Sequence, residues 1–312
     1  MRTRTLGKTG LTVSELGLGT WGLSGDAYGP IADADRDEVI ARARAYDITL
    51  YDTAGSYAKG EMEKALGRLF GDDKAVVIVT KLGTDLGAVP ARKNFEPEHL
   101  RVAFEQSRER LRRETLDVVL LHNPSEATLR EGEATAALAA LKDKGALRAW
   151  GVSAGSQAVA RAALEAGAEV IEIAYNVYIA SDLEGLLLED GATGIIARSV
   201  LAHGLLCGYW SESRTFPRND HRSERWTGEQ LRGRLRQLAA VSAILRGELT
   251  TPRAAALRFA LSNTRVSSAL LGPRNRVQLD QLVREAGTGP TYLDDSQLSL
   301  LRTELKRLGV KS

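Results

Sequence analysis

The chain has 312 residues, of which 43% are hydrophobic and 26% are charged, and its formal net charge is +2. This composition is typical of a globular protein and excludes a collagen-like or largely disordered chain. Basic residues alternate with acidic ones, so the charge pattern indicates no nucleic-acid surface. The sequence contains no apolar run of about 20 residues, and the opening "MRTRTLGKTG" lacks the apolar core of a signal peptide. We therefore expect neither membrane insertion nor export, and we expect small-molecule partners.

The cysteine content indicates the compartment. Cys207 is the single cysteine, so no disulfide can form within the chain, which favours a reducing, cytoplasmic setting. The sequence does not predict an oligomeric state.

Short apolar runs alternate with longer amphipathic stretches, which is typical of strands and crossover helices in a parallel sheet. Eight runs are predicted strands: Leu16 to Gly19, Thr49 to Asp52, Val76 to Lys81, Val118 to His122, Arg148 to Val152, Val170 to Ala174, Gly194 to Arg198 and Val266 to Leu271. Eight such units favour an α/β fold, a (β/α)8 TIM barrel that forms one domain over residues 1–312. A doubly wound open sheet is the alternative, but the glycines of "LGLGTWG" lack the G-x-G-x-x-G spacing expected after its first strand.

Other segments complete this predicted barrel. The stretch "RTLGKTGLTV" suits a β-hairpin that closes the barrel floor. Asp35, with Glu38 three residues later, is predicted to start a helix, and Thr251 before Pro252 is a predicted N-cap. Extra C-terminal helices are expected over Arg276 to Glu285 and Asp294 to Leu308. Residues 208–228 form a long irregular stretch rich in aromatic and charged residues, which indicates a lid over substrate or cofactor.

Four polar residues lie at or just beyond the ends of three successive predicted strands. Asp52 ends the second strand, Tyr57 follows on its loop, Lys81 ends the third and His122 ends the fourth. Each alone fits a structural role, but barrel enzymes carry their catalytic groups at these strand ends. Neighbouring strands lie about 4.8 Å apart, so the four side chains can converge.

This set suits acid catalysis by a phenol. A free tyrosine has a pKa near 10, and an adjacent lysine ammonium is expected to lower it, while a carboxylate keeps the lysine charged. A histidine can bind and polarise the substrate carbonyl. No H-x-H or H-E-x-x-H spacing occurs among the histidines, so no metal site is predicted.

The contexts of these residues, "YDTAGSY", "VIVTKLG" and "LLHNP", resemble those of the catalytic tetrad of the aldo-keto reductases. The resemblance runs from "TLGKTGLTVSELGLGTWG" almost to the C-terminus. It implies a barrel that reduces an aldehyde or ketone to an alcohol with hydride from a nicotinamide cofactor. Asp52, Tyr57, Lys81 and His122 would be catalytic, with Tyr57 as the proton donor.

The same resemblance implies a set of cofactor-binding residues: Gly19, Thr20, Trp21, Asp52, Ser153, Glu172, Arg198, Ser199, Leu201, Gly204, Leu206, Gly272, Arg274 and Gln278. Arg274 suits a ribose 2′-phosphate, so NADPH is expected as cofactor rather than NADH.

The chain departs from the family pattern at several of these positions. Ala154 replaces an asparagine, Glu172 a glutamine and Arg198 an aromatic residue, while Leu282 stands where an adenine-contacting asparagine is usual. The positive charge of Arg198 is expected to disfavour the oxidised nicotinamide, unless Glu172 neutralises it. Ala58 follows the tyrosine where relatives usually carry glycine.

Two other functions remain open. The resemblance extends to proteins that bind NADPH chiefly as regulatory or sensor subunits. A barrel lysine can also form a Schiff base, so Lys81 could serve a class I aldolase.

Overall fold

The computed structural model describes residues 1–310, and its centre is a closed barrel of eight parallel strands. The strands in chain order are β1 (Thr3–Thr5), β2 (Thr12–Ser14), β3 (Leu16–Gly19), β4 (Leu50–Asp52), β5 (Val77–Leu82), β6 (Thr84–Asp85), β7 (Arg92–Lys93), β8 (Leu116–His122), β9 (Leu147–Ser153), β10 (Val170–Ala174), β11 (Gly194–Arg198) and β12 (Val266–Leu271). The barrel order is β10-β11-β12-β3-β4-β5-β8-β9, and β9 pairs with β10 to close it.

The predicted barrel is confirmed, and all eight predicted strands are present. Four have the predicted bounds, and the other four differ by one or two residues at one or both ends. β5 is buried at every position, because barrel interior covers one face and helices the other,. The apolar runs in the sequence reflect that double burial.

Helices surround the barrel and connect its strands. In chain order they are α1 (Asp33–Ala45), α2 (Glu61–Phe70), α3 (Pro97–Leu111), α4 (Glu126–Glu131), α5 (Glu133–Asp143), α6 (Gln157–Glu165), α7 (Ser181–Glu184), α8 (Gly228–Ser242), α9 (Pro252–Ser262), α10 (Arg276–Ala286) and α11 (Asp295–Arg307). The two helices predicted beyond the last strand are α10 and α11.

Helix starts test the capping predictions directly. Thr251 caps α9 as predicted, since its hydroxyl accepts a hydrogen bond from the Ala254 amide at 3.0 Å,. The predicted start at Asp35 is wrong. α1 begins at Asp33, whose carboxylate accepts from the Arg36 guanidinium at 2.9 Å, and Ala32 precedes it without a side-chain cap. Asp35 instead lies in the first turn, where a negative charge complements the helix dipole.

The N-terminal hairpin covers the floor of the barrel, as predicted. β1 and β2 pair antiparallel, and Leu6, Leu11 and Val13 pack in one buried cluster with barrel residues such as Leu50 and Val79. Gly7 allows this close approach, because a Cβ atom there would lie 2.3 Å from the Gly194 amide nitrogen. The floor of the barrel is therefore filled with apolar side chains, and the polar candidate site residues lie at the opposite end.

Residues 208–228 cross this opposite end with little regular structure. They contain one short 3₁₀ turn, His221–Ser223, and Asp220 forms an antiparallel bridge with Tyr28 on the loop after β3. The segment is thus tied to the other side of the barrel mouth. Of the helices within residues 1–310, none has the length and apolar character needed to cross a membrane.

Candidate active site

The side chains of Asp52, Lys81 and Tyr57 meet at the carboxyl end of the barrel. The Lys81 ammonium lies 2.7 and 2.5 Å from the two carboxylate oxygens of Asp52, and it donates to the Thr53 carbonyl at 3.0 Å. Its nitrogen is 3.5 Å from the Tyr57 hydroxyl oxygen. Parallel pairing of β4 with β5 produces this contact, because it brings the ends of adjacent strands to the same edge,.

The loop that carries Tyr57 has an unusual backbone. Ala58 and Lys59 both lie in the left-handed region, at φ 48° and 52°, which L-residues adopt at a cost. The Ala58 amide donates to the Asp26 carboxylate at 2.6 Å. This contact joins the loop after β3 to the loop after β4. No sequence signal singled out Asp26 for this role.

A buried hydrogen-bond network around Glu63 also contacts the loop that carries Tyr57. Glu63 at the start of α2 is fully buried and accepts hydrogen bonds from Thr80 at 2.5 Å and from Arg110 at 2.6 Å. Arg110 also packs against Gly60: a Cβ atom at position 60 would lie 2.7 Å from the Cδ atom of Arg110. Sequence reasoning missed this support as well, because its members are far apart in the chain.

His122 faces Tyr57 across the cleft, with ring centroids 6.1 Å apart and ring planes at 81°. Its Nδ1 atom is buried and bonds to no polar atom of the described residues. Burial and the nearby Lys81 ammonium lower the pKa of His122 to about 3. The imidazole is therefore neutral at physiological pH and has one N–H to donate.

Glu172 on β10 is a second carboxylate beside Lys81. Its Oε2 atom is 3.3 Å from the Lys81 nitrogen, and its Oε1 accepts from the Ser153 hydroxyl at 2.9 Å. Arg198 at the end of β11 brings its Nε atom to 3.6 Å from Oε1, and its other guanidinium end donates to the Ala154 carbonyl at 2.8 Å. Acidic and basic side chains thus alternate across the barrel mouth in the order Asp52, Lys81, Glu172, Arg198.

The electrostatics of this cluster differ from one expectation. Burial raises the pKa of Tyr57 to about 12. The Lys81 ammonium lowers this pKa, as expected, but it opposes burial only in part, so the expected net lowering is wrong. Burial and the Glu172 carboxylate raise the pKa of Asp52. At Glu172 burial is the largest single effect, but the charges of Lys81 and Arg198 and the hydrogen bonds with Asp52 and Ser153 together outweigh it and lower the pKa to about 2. The charges of Asp52 and Glu172 outweigh burial at Lys81 and raise its pKa.

The remaining predicted cofactor residues lie on loops at the same end of the barrel. Gly19 ends β3 and Thr20 and Trp21 follow it, and the Thr20 hydroxyl donates to the Asp52 carbonyl at 2.8 Å. Four follow β11: Ser199, Leu201, Gly204 and the fully buried Leu206. Gly272, Arg274 and Gln278 lie between the end of β12 and the first turn of α10, and Gln278 accepts from the Arg274 amide at 2.8 Å. Leu282, at the position usual for an adenine-contacting asparagine, is 3% exposed and packs in the core.

Arg274 holds the loop after β3 in place. Its guanidinium donates to the carbonyls of Gly22, Tyr28, Gly29 and Pro30 at 3.3, 2.7, 2.7 and 2.9 Å. These acceptors are neutral, and no carboxylate of residues 1–310 pairs with the guanidinium. Its contact with a 2′-phosphate therefore stays a prediction.

Aromatic residues gather above the site. Trp210, Phe216 and Trp226 of the 208–228 segment have ring centroids 5.0 to 6.4 Å apart. Trp21 and Tyr28 meet the His221 ring at 4.6 and 4.9 Å. Together these rings form one aromatic cluster, here called the aromatic roof, on the loops at the carboxyl end of the barrel. In the part of the chain that the structure describes, no three His, Cys, Asp or Glu side chains are grouped to hold a metal.

Comparison with known proteins agrees with this geometry. Residues 15–301 match the model of the aldo/keto reductase family. A D-threo-aldose 1-dehydrogenase from a Pseudomonas species is 29% identical over 301 residues, covering 87% of this chain and 89% of that protein. The aldo-keto reductase YhdN of Bacillus subtilis is 28% identical over 72% of this chain and 69% of its own length.

The solved structure of the glycerol dehydrogenase AKR11B4 from Gluconobacter oxydans superposes with a TM-score of 0.85 at 26% identity, covering 99% of this chain and 97% of that one. With the family match over most of its length, this chain belongs to the aldo/keto reductase family and is an oxidoreductase that works with a nicotinamide cofactor.

Proposed function

We propose that this chain reduces an aldehyde or ketone to an alcohol with hydride from NADPH, and that Tyr57 is the proton donor. The observation that carries this proposal is the buried Asp52–Lys81 pair, 3.5 Å from the Tyr57 hydroxyl. A carbonyl oxygen placed between Tyr57 and His122 would meet two hydrogen-bond donors, which is the arrangement that stabilises a developing alkoxide.

The protonation states support these roles. The bound nicotinamide supplies the hydride. Tyr57, with a pKa of about 12, is fully protonated at neutral pH and holds the proton that the product oxygen needs. Lys81 stays charged between its carboxylates and stabilises the phenolate that remains after transfer. His122 stays neutral and donates its single N–H, so it orients the carbonyl without competing as an acid.

The residues of the barrel mouth fit a nicotinamide dinucleotide. Oε2 of Glu172 is buried and forms an ion pair with Lys81 but accepts no hydrogen bond within residues 1–310, which supports a role for Glu172 and Ser153 in holding the nicotinamide amide,. The first turn of α10, capped by Asn275, offers backbone donors beside Arg274 for the phosphates,.

A preference for NADPH rests on Arg274. Backbone carbonyls hold its guanidinium without neutralising it, so a positive charge remains for a 2′-phosphate. We expect Arg274→Met to weaken NADPH binding more than NADH binding in a fluorescence titration. Equal weakening would assign Arg274 a structural role only.

The wider organisation is part of the proposal. The chain acts as one barrel domain, residues 208–228 serve as the lid, and the partner is a small carbonyl compound, with neither nucleic acid nor a membrane required. The bridge between Asp220 and Tyr28 supports the lid, because it spans the mouth. A cytoplasmic setting is supported by the single cysteine,.

The test is NADPH oxidation with a panel of aldehydes and ketones. The reverse reaction should be assayed with aldoses and glycerol, which the names of two relatives suggest. Tyr57→Phe should lower kcat by about 10² to 10⁴-fold, whereas Tyr28→Phe, the same change on the aromatic roof, should lower it far less. Full activity of Tyr57→Phe would refute the proposed acid.

The assay also separates the alternatives. Tight NADPH binding with no turnover of any carbonyl compound would favour a sensor subunit. An aldolase needs a neutral lysine as nucleophile, whereas the two neighbouring carboxylates raise the pKa of Lys81. We therefore expect no adduct with Lys81 on borohydride trapping.

A further inference from the structure

The Lys81 ammonium has more acceptors around it than protons to give. It has three N–H bonds, and Asp52 and the Thr53 carbonyl, at 2.5 to 3.0 Å, take two of them. Two oxygens remain near the third: the Tyr57 hydroxyl at 3.5 Å, which has hydrogen-bond geometry, and Oε2 of Glu172 at 3.3 Å, which forms an ion pair without that geometry. Because the distances are similar, the carboxylate and the phenol attract the same ammonium from two sides, and a small movement of Lys81 would favour one over the other.

Glu172 is held where it can compete. The residue is 2% exposed, and its Oε1 atom is fixed by the Ser153 hydroxyl at 2.9 Å and lies 3.6 Å from Arg198. Its Oε2 atom has only Lys81 within ion-pair distance among the described residues. A carboxylate attracts an ammonium more strongly than a phenol does, so Glu172 draws Lys81 away from Tyr57.

We propose that Glu172 is a positioning residue that competes with Tyr57 for Lys81 and so limits how strongly Lys81 stabilises the Tyr57 phenolate. This inference rests on the proposed role of Tyr57. Glutamine, the residue usual in the family, would compete less, since a neutral amide oxygen is a weaker acceptor for an ammonium.

The electrostatic effect of Glu172 on Tyr57 also opposes that of Lys81. Lys81 lowers the pKa of Tyr57, while Asp52 and Glu172 raise it. Of the other groups that face the cleft, His122 is neutral, and Arg198 lies on the far side of Glu172. Replacing Glu172 with glutamine therefore removes a repulsive charge and also frees the third Lys81 proton.

The test is a direct titration of Tyr57 in the protein without cofactor. Tyrosines labelled with ¹³C at Cζ are followed by NMR as pH rises, and the Tyr57 signal is identified by its loss in Tyr57→Phe. Glu172→Gln should lower the pH at which this signal moves by about one unit. Glu165→Gln, the same charge change at an exposed position on α6, should leave it unchanged.

A second variant separates the contact from the charge. Glu172→Asp keeps the carboxylate but withdraws it from Lys81 by one methylene, so Tyr57 should titrate between the wild type and Glu172→Gln. If Glu172→Asp or Glu172→Gln titrates as the wild type does, the proposal is wrong. The readout needs no turnover, so a lack of reductase activity would count against the proposed function and not against this role of Glu172.

Discussion

Replacing Ala58 with glycine should stabilise the protein, because the backbone there is left-handed. At φ 48° and ψ 39° the alanine Cβ is strained, which costs about 1 to 2 kcal/mol. Glycine removes that strain but adds about 0.4 to 1 kcal/mol of conformational entropy to the unfolded chain. The net gain in unfolding free energy is about 0.5 to 1 kcal/mol, since the hydrogen bond to Asp26 uses the backbone amide and is retained.

Thermal denaturation followed by circular dichroism measures this gain. For a chain of this size, it corresponds to a rise in Tm of about 2 °C. The control is Ala140→Gly at an exposed position of α5, which should lose about 1 kcal/mol because the helical backbone there is unstrained. A loss of stability in Ala58→Gly similar to that in the control would refute the assignment of strain to this loop.

Two further predictions concern stability elsewhere. Burial lowers the pKa of His122 and His203 to about 3, so below pH 6.5 the unfolded chain binds protons that the folded chain does not. The unfolding free energy should therefore fall as pH drops from about 6.5 to 4, by up to about 1.4 kcal/mol per pH unit for each histidine; a urea midpoint that is constant over this range would contradict it. Thr251→Ala should cost about 1 kcal/mol by removing the α9 cap, and Thr251→Ser should restore most of it in the same urea titration.

The barrel was predictable from sequence because its strands are buried on both faces. That requirement produces apolar runs such as Val77 to Val79, which lack the alternation of apolar and polar residues typical of a strand with one face in solvent,. Helix starts were less predictable, since Asp33 and Asp35 are equally plausible acids and only the backbone shows where the helix begins.

The positions of Asp52, Lys81 and His122 could also be predicted, because the ends of parallel strands meet at one edge of the barrel, whereas Tyr57 depends on the path of the loop after β4. The pKa of Tyr57 could not, because it depends on the balance between burial and Lys81, which has no sequence signal. The same holds for Asp26, whose contact with the Ala58 amide joins two loops distant in sequence.

The structure gives one physical explanation for three departures from the family pattern. Arg198 donates to the carbonyl of Ala154 and lies beside the carboxylate of Glu172, so the three residues are in direct contact. An arginine here without Glu172 would leave a charge in the barrel mouth with no acid beside it, and Glu172 without Arg198 would add a second buried carboxylate that only Lys81 offsets. These residues therefore form one unit. The positive charge of Arg198 was expected to disfavour the oxidised nicotinamide, but the carboxylate of Glu172 beside it opposes that charge.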